Sequence, residues 1–130
     1  MIFGIGTDII QNKRIESVLQ KHESFLNKYF NTSEYENYQN LPVEQFAQKI
    51  AKLFAAKEAF FKSIGTGLRF NMSFKDITVS HNKLGKPYIT VTGETLKYIN
   101  EHITNGKFNI HLSLSDEQTC SVAFTVFEIV

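Results

Sequence analysis

Three side chains in this sequence have the types needed to handle a phosphate ester: Asp8, Glu58 and Lys62. Glu58 and Lys62 sit four residues apart, just after Lys57, in a stretch with helical periodicity, so they share one helix face. A carboxylate there can hold a cation while an ammonium meets a phosphate. An ordinary solvent-exposed Glu–Lys helix pair has the same spacing. Asp8 follows a short apolar run, a place suited to a metal-binding carboxylate and equally to a helix cap or turn acceptor. Asp8 and Glu58 together would suit Mg²⁺, which is held by one or two carboxylates while phosphates and water complete its shell. Spacing alone leaves both readings open.

Other residues that could do chemistry carry weaker signals. Gly4-Ile5-Gly6 lies inside a strand pattern and lacks the third glycine of a dinucleotide fingerprint, so close backbone packing explains it. Gly65-Thr66-Gly67 reads first as a helix stop and second as a loop able to approach a ligand. His111 and Ser113 alternate with Leu112 and Leu114, which places them together on the outward face of a strand. His22, His81 and His102 have no metal-ligand spacing. The single cysteine, Cys120, excludes an intrachain disulfide, fits a reducing compartment and reads as a small buried side chain.

The elements that must position these residues are legible in the hydrophobic periodicity. Residues 2–7 predict a short buried strand that turns polar at Asp8. Apolar positions from Ile15 to Tyr29 predict one amphipathic helix over 13–30, with Lys13, Arg14, Lys21 and Lys28 giving it a basic outer face. Thr32 or Ser33 is placed to cap a short helix through Tyr38, and Pro42 to open a long one running to about Ile64, with Gly65 stopping it. Strands are predicted at 77–80 and 88–91, a helix at 93–103, and a hairpin from strands 108–115 and 119–129. Helices mixed with antiparallel hairpins define an α+β class, one long and several shorter helices packed on antiparallel sheet. No linker or repeat divides residues 1–130, so a single domain is expected.

Composition narrows the functions. A net charge of +1 argues against a nucleic-acid binder, although one basic helix face remains. The first residues have neither a basic flank nor a long apolar core, so no signal peptide or membrane span is expected and a cytoplasmic location follows.

Two motifs then act together. Gly4-Ile5-Gly6-Thr7-Asp8-Ile9, followed by the run from Phe54-Ala55-Ala56-Lys57-Glu58-Ala59 to Lys62-Ser63-Ile64-Gly65-Thr66-Gly67, closely resembles the holo-[acyl-carrier-protein] synthases of the 4'-phosphopantetheinyl transferase superfamily. Gly85-Lys86-Pro87 and His111-Leu112-Ser113-Leu114-Ser115 fit the same family in the same order. The resemblance implies transfer of 4'-phosphopantetheine from coenzyme A to a serine of apo-acyl carrier protein, in support of fatty acid biosynthesis. It implies a homotrimer with active sites between subunits. Asp8 and Glu58 would be Mg²⁺ ligands, Lys62 would meet the coenzyme A phosphates, and Gly65, Thr66 and Gly67 would line its pocket. Lys86 and Pro87 would lie by the nucleotide, with His111 and Ser113 approaching from a neighbouring subunit. Arg14, Lys21 and Lys28 would face the acidic carrier protein. The sequence departs from the family wording at Leu53, where many relatives carry a basic residue, at Asp116, and at Thr119-Cys120. Two alternatives use the same features: a Mg²⁺-dependent nucleotide hydrolase, and a non-catalytic module that docks acidic proteins.

Overall fold

The computed structural model describes residues 1–130. Its centre is a helix lying directly on a strand. Strand β1 (Ile2–Gln11) alternates faces, turning Gly4, Gly6, Asp8 and Ile10 inward and Ile5, Thr7 and Ile9 outward. Helix α4 (Val43–Ser63) covers the inward face with a small-residue ridge of Ala51, Ala55 and Ala59, all fully buried. A side chain on Gly4 would run into the Ser63 carbonyl, and one on Gly6 into that of Ala59. The close backbone packing expected of Gly4-Ile5-Gly6 is therefore present, and it is packing of strand against helix.

Between these two elements lie α1 (Asn12–Lys21), α2 (Phe25–Tyr29), α3 (Thr32–Tyr35) and a 3₁₀ turn at Glu36–Tyr38. After α4 come a 3₁₀ turn at Phe74–Asp76, strands β2 (Ile77–His81) and β3 (Pro87–Val91), helix α5 (Gly93–His102), and strands β4 (Phe108–Asp116) and β5 (Cys120–Ile129). Antiparallel pairing gives a three-stranded sheet in the order β1-β5-β4 and a two-stranded β2-β3 hairpin. The α+β class and the two predicted hairpins agree with this arrangement.

Several local expectations need correction. β1 does not end at Asp8 but continues to Gln11, with Asp8 opposite Ala123 in the ladder. Nor is it buried throughout, for its outer face leaves Ile5 60% and Ile9 67% exposed. The expected helix over 13–30 is broken at His22, which adopts an extended conformation and ends α1. The break lets Phe25 turn inward against Tyr29, Phe30 and Phe54, whose ring centroids lie 5.1, 5.9 and 5.9 Å away. Burying a side chain of this size stabilises by roughly 1.5–3 kcal/mol, more than one continuous helical turn would offer. The short helix is capped by Asn31, which forms a capping box with Glu34, not by Thr32 or Ser33. Pro42 takes the N-cap position of α4, and Gly65, at φ +79°, follows its last turn as predicted. Cys120 is half-buried, not enclosed.

Two apolar clusters share α4. One gathers Ile10, Ile15, Phe25, Phe30 and the alanine ridge; the other gathers Phe60, Phe61, Phe74, Ile77, Ile99 and Phe127. Through the first runs a buried polar network. Lys57 is fully buried and donates to the carbonyls of Tyr29 and Phe74, each at 3.0 Å, and to Glu34 Oε1 at 2.6 Å. Glu34 also accepts the Asn31 and Val79 amides at 2.9 and 3.0 Å. Burial pushes the Lys57 pKa down, and the Glu34 carboxylate opposes that shift. With three acceptors around the ammonium, the network ties the α2–α3 segment, α4 and the β2 hairpin together.

Candidate active site

The strand-on-helix contact brings Asp8, Glu58 and Lys62 together. Asp8 lies two positions beyond Gly6 on the same face of β1, and Glu58 and Lys62 occupy the last turns of α4. Because Gly6 fixes the backbone of α4 at Ala59, the neighbouring carboxylate and ammonium are held at the level of Asp8. Thr125 adds a peg from β5, its hydroxyl donating to the Ala59 carbonyl at 2.8 Å.

Lys62 Nζ donates to the Thr7 carbonyl at 2.9 Å and lies 3.3 Å from Asp8 Oδ1. Its side chain is 53% exposed while that of Asp8 is 18% exposed, so the pair opens on one side to solvent. Burial raises the Glu58 pKa most; Asp8 raises it further, and Lys62 pulls it back down. Glu58 is thus a carboxylate held near another negative group with one cation to offset both. Such a site gains from a further positive charge. Hard oxygen donors of this kind match Mg²⁺, and a pair of them leaves coordination positions for phosphate oxygens and water. No cluster of three or more acidic, histidine or cysteine groups is present.

Gly65, Thr66 and Gly67 follow α4 directly, next to Lys62, with Thr66 buried and both glycines exposed. Lys86, Pro87, His111 and Ser113 do not join this cluster. They line a separate concavity with Tyr88, Phe124 and Val126 at the start of β3 and on the outer face of the large sheet. In register, His111 sits opposite Val126 and Ser113 opposite Phe124, while Ile5 and Thr7 flank those same residues on β1. Both point away from the core as the alternation predicts, and His111 Nε2 is 2.9 Å from Glu128 Oε1. That contact, with Asn109, lowers the Glu128 pKa.

The basic helix expected to be continuous is now two surfaces. Arg14 lines a groove with Lys13, Ile9, Thr119 and Cys120, whereas Lys28 lines another with Val18, His22, Phe25 and Tyr29. Lys21 is exposed between them. Two of the departures from family wording, Leu53 and Asp116, lie near one another. Lys52, next to Leu53, lies 3.6 Å from Asp116 Oδ1, and Gln48 donates to the other oxygen of the same carboxylate. Leu53 shares a small pocket with Lys49, Lys52 and His81, and the His81 pKa is lowered by burial and then by those two lysines.

What the sequence did not disclose is the anchoring of Lys62 by the Thr7 carbonyl, since a backbone acceptor leaves no residue-type signal. Glu34, the partner of Lys57, was discernible only as an acidic residue three positions after Asn31 in a capping box.

Comparison with known proteins agrees with this architecture. The family model of the 4'-phosphopantetheinyl transferase superfamily matches residues 4–123. A holo-[acyl-carrier-protein] synthase of Pelagibacter ubique is 43% identical over 130 residues, covering 98% of this chain and 97% of that protein. The protein of the same name from Aliivibrio fischeri is 40% identical over 129 residues, covering 98% of each. Among solved structures, the Bacillus anthracis holo-(acyl-carrier-protein) synthase in complex with CoA (3',5'-ADP) superposes with a TM-score of 0.81 at 34% identity, covering 100% and 99% of the two chains. The Neisseria meningitidis holo-[acyl-carrier-protein] synthase gives 0.81 at 36% identity, covering 99% of this chain and 100% of that one. With a family model matching most of its length, relatives spanning nearly the whole chain and the same fold in solved structures, this chain belongs to the 4'-phosphopantetheinyl transferase superfamily, among its holo-[acyl-carrier-protein] synthases.

Proposed function

We propose that this chain moves 4'-phosphopantetheine from coenzyme A onto a serine hydroxyl of apo-acyl carrier protein, releasing adenosine 3',5'-bisphosphate. The observation that carries this reading is the open cluster of Asp8, Glu58 and Lys62, held in place by the Gly6 contact with Ala59. Family membership and the coenzyme A named in the B. anthracis structure supply the donor.

The residues divide the work by charge and exposure. Asp8 and Glu58 would hold Mg²⁺, which would neutralise charge on the pyrophosphate oxygens and so favour phosphoryl transfer. Lys62, tethered by the Thr7 carbonyl yet half in solvent, would bring its ammonium to the same phosphates. Glu58, with its pKa raised by burial and by Asp8, suits acceptance of the serine proton, directly or through an intervening water. Gly65, Thr66 and Gly67 would wall the pantetheine side.

Lys86, Pro87, His111 and Ser113 would meet the nucleotide. Their separation from the carboxylates within one chain supports a homotrimer in which His111 and Ser113 approach from the neighbouring subunit. The outer sheet face, with Ile5, Ile9 and Phe124 at 60, 67 and 42% exposure, supports burial against another copy. Arg14, Lys21 and Lys28 would orient the acidic carrier protein. Residues 1–130 would act as one domain, since both core clusters close on α4. No helix is long and apolar enough to cross a membrane, and the single cysteine supports a cytoplasmic setting within fatty acid synthesis.

The test is intact-mass analysis of apo-acyl carrier protein incubated with this protein, coenzyme A and Mg²⁺. One added phosphopantetheine, absent without metal and with Asp8→Ala, supports the reading. Loss of coenzyme A without carrier modification would mark a hydrolase instead, and binding of the carrier without any change in either would mark a docking module.

A further inference from the structure

The segment after α4 contains an arm whose tip is fastened by an aromatic stack. Thr66 and Met72 are buried, 3.8 Å apart from hydroxyl to sulfur, and close the base of the arm. Everything between them, residues 67–71, is exposed. The hydrogen bonds made from Gly65 to Met72 are local: Gly65 to the Lys62 carbonyl, Thr66 to the Gly67 carbonyl and Met72 to that of Arg69. None joins the arm to α5 or to either sheet.

The tip is held another way. Phe70 adopts φ +57° and Asn71 φ +64°, a left-handed conformation that a bulky aromatic residue rarely takes unless something holds it there. The Phe70 ring lies flat on Tyr98 of α5, with centroids 5.3 Å apart and planes within 7°. Tyr98 is itself backed by His102 at 4.7 Å and packs against the second core cluster. Helix α5 is rigidly tied in turn, since the Thr95 amide and hydroxyl both donate to Asp76 Oδ2, at 3.2 and 2.8 Å. An exposed ring with unfavourable backbone thus stacks on a fixed one. On the same arm, Arg69 makes no ion pair.

We infer that Phe70 and Tyr98 are positioning residues for coenzyme A: their stack latches the Gly67–Asn71 arm to α5 and holds the arm, with its unpaired Arg69, in the shape that takes the anionic donor. This deepens the proposed function and rests on it. Neither ring need touch the reacting atoms. The latch acts on binding, because Asp8, Glu58 and Lys62 are fixed independently by β1 and α4.

The test compares wild type with Tyr98→Leu, Phe70→Gly and Tyr98→Phe. Phe70→Gly relieves the backbone while removing the ring, so it separates strain from stacking. Loss of one aromatic stack predicts a KM for coenzyme A raised about 2- to 10-fold in the first two variants, with kcat little changed. Tyr98→Phe keeps the stack and should match wild type. Amide hydrogen exchange at Met72, whose amide donates to the Arg69 carbonyl across the arm, should quicken in Tyr98→Leu. Calorimetric binding of coenzyme A gives the same comparison without turnover. Equal dissociation constants for wild type and Tyr98→Leu overturn the latch, even if Tyr98→Leu melts at a lower temperature. Wild type that binds no coenzyme A overturns both the latch and the functional reading.

Discussion

Two lysines five residues apart on the same helix pair with carboxylates from other elements, and the two pairs have opposite characters. Lys57 is sealed from water and meets Glu34 at 2.6 Å with two carbonyls completing its shell. Lys62 meets Asp8 at 3.3 Å, half exposed, with one carbonyl and open space. Residue type is the same, so the difference comes from satisfaction. A buried pair with every donor and acceptor used can only build the fold, whereas a pair with capacity left over can meet a ligand.

The sharpest break in that comparison is chemical. Replacing Glu58→Gln should lower phosphopantetheine transfer about 10²- to 10⁴-fold, read by the mass assay at saturating Mg²⁺. Unchanged turnover would remove Glu58 from both metal binding and proton transfer. On the sealed side, Lys57→Met leaves the Glu34 carboxylate buried without its cation and should cost about 3–5 kcal/mol of stability in denaturant unfolding. A variant as stable as wild type would show that the buried pair does not hold the fold.

Between the two stands the strand-on-helix contact. Gly6→Ala forces a methyl group against the Ala59 carbonyl, which should cost about 1–3 kcal/mol and lower transfer as α4 shifts. Lys62→Gln should do the reverse of Lys57→Met, changing stability by only about 0–1 kcal/mol because its pair is exposed, while transfer drops. The smallest effect concerns pH. Because the Glu58 pKa is raised above 4.5 in the fold, the folded chain keeps that proton longer than the unfolded chain. Its contribution to stability is full below the ordinary carboxylate range and is lost as pH rises through the raised value. Glu58→Gln should therefore raise the melting temperature slightly at about pH 7 and leave it unchanged at about pH 3.5. An equal shift at both values would mean that Glu58 does not titrate as described.

How far the sequence disclosed all this varies with the physics involved. Long periodic segments were readable, so α4 and both hairpins lie where their patterns place them. The break at His22 was hidden, since the helical spacing continues across it and only the pull of Phe25 toward Phe54 reveals the turn. Asp8 was identified by its place after an apolar run, but whether it ended the strand depended on pairing with β5, which is a long-range contact. The glycines carried the correct hint about close packing without saying against what. Lys57 and Lys62 looked alike, because burial of a lysine depends on a partner, Glu34, that helical spacing on α4 cannot show.

The contact of Gly6 with the backbone of α4 has a mechanical consequence. Strand and helix touch through main-chain atoms, with no side-chain rotamer between them to flex and no void to collapse. Under compression such a joint transmits force as a solid would, while the arm beyond Thr66, with no hydrogen bond to either sheet, would yield first. The molecule thus divides into a stiff jaw that carries the charges and a softer arm whose shape depends on one aromatic stack.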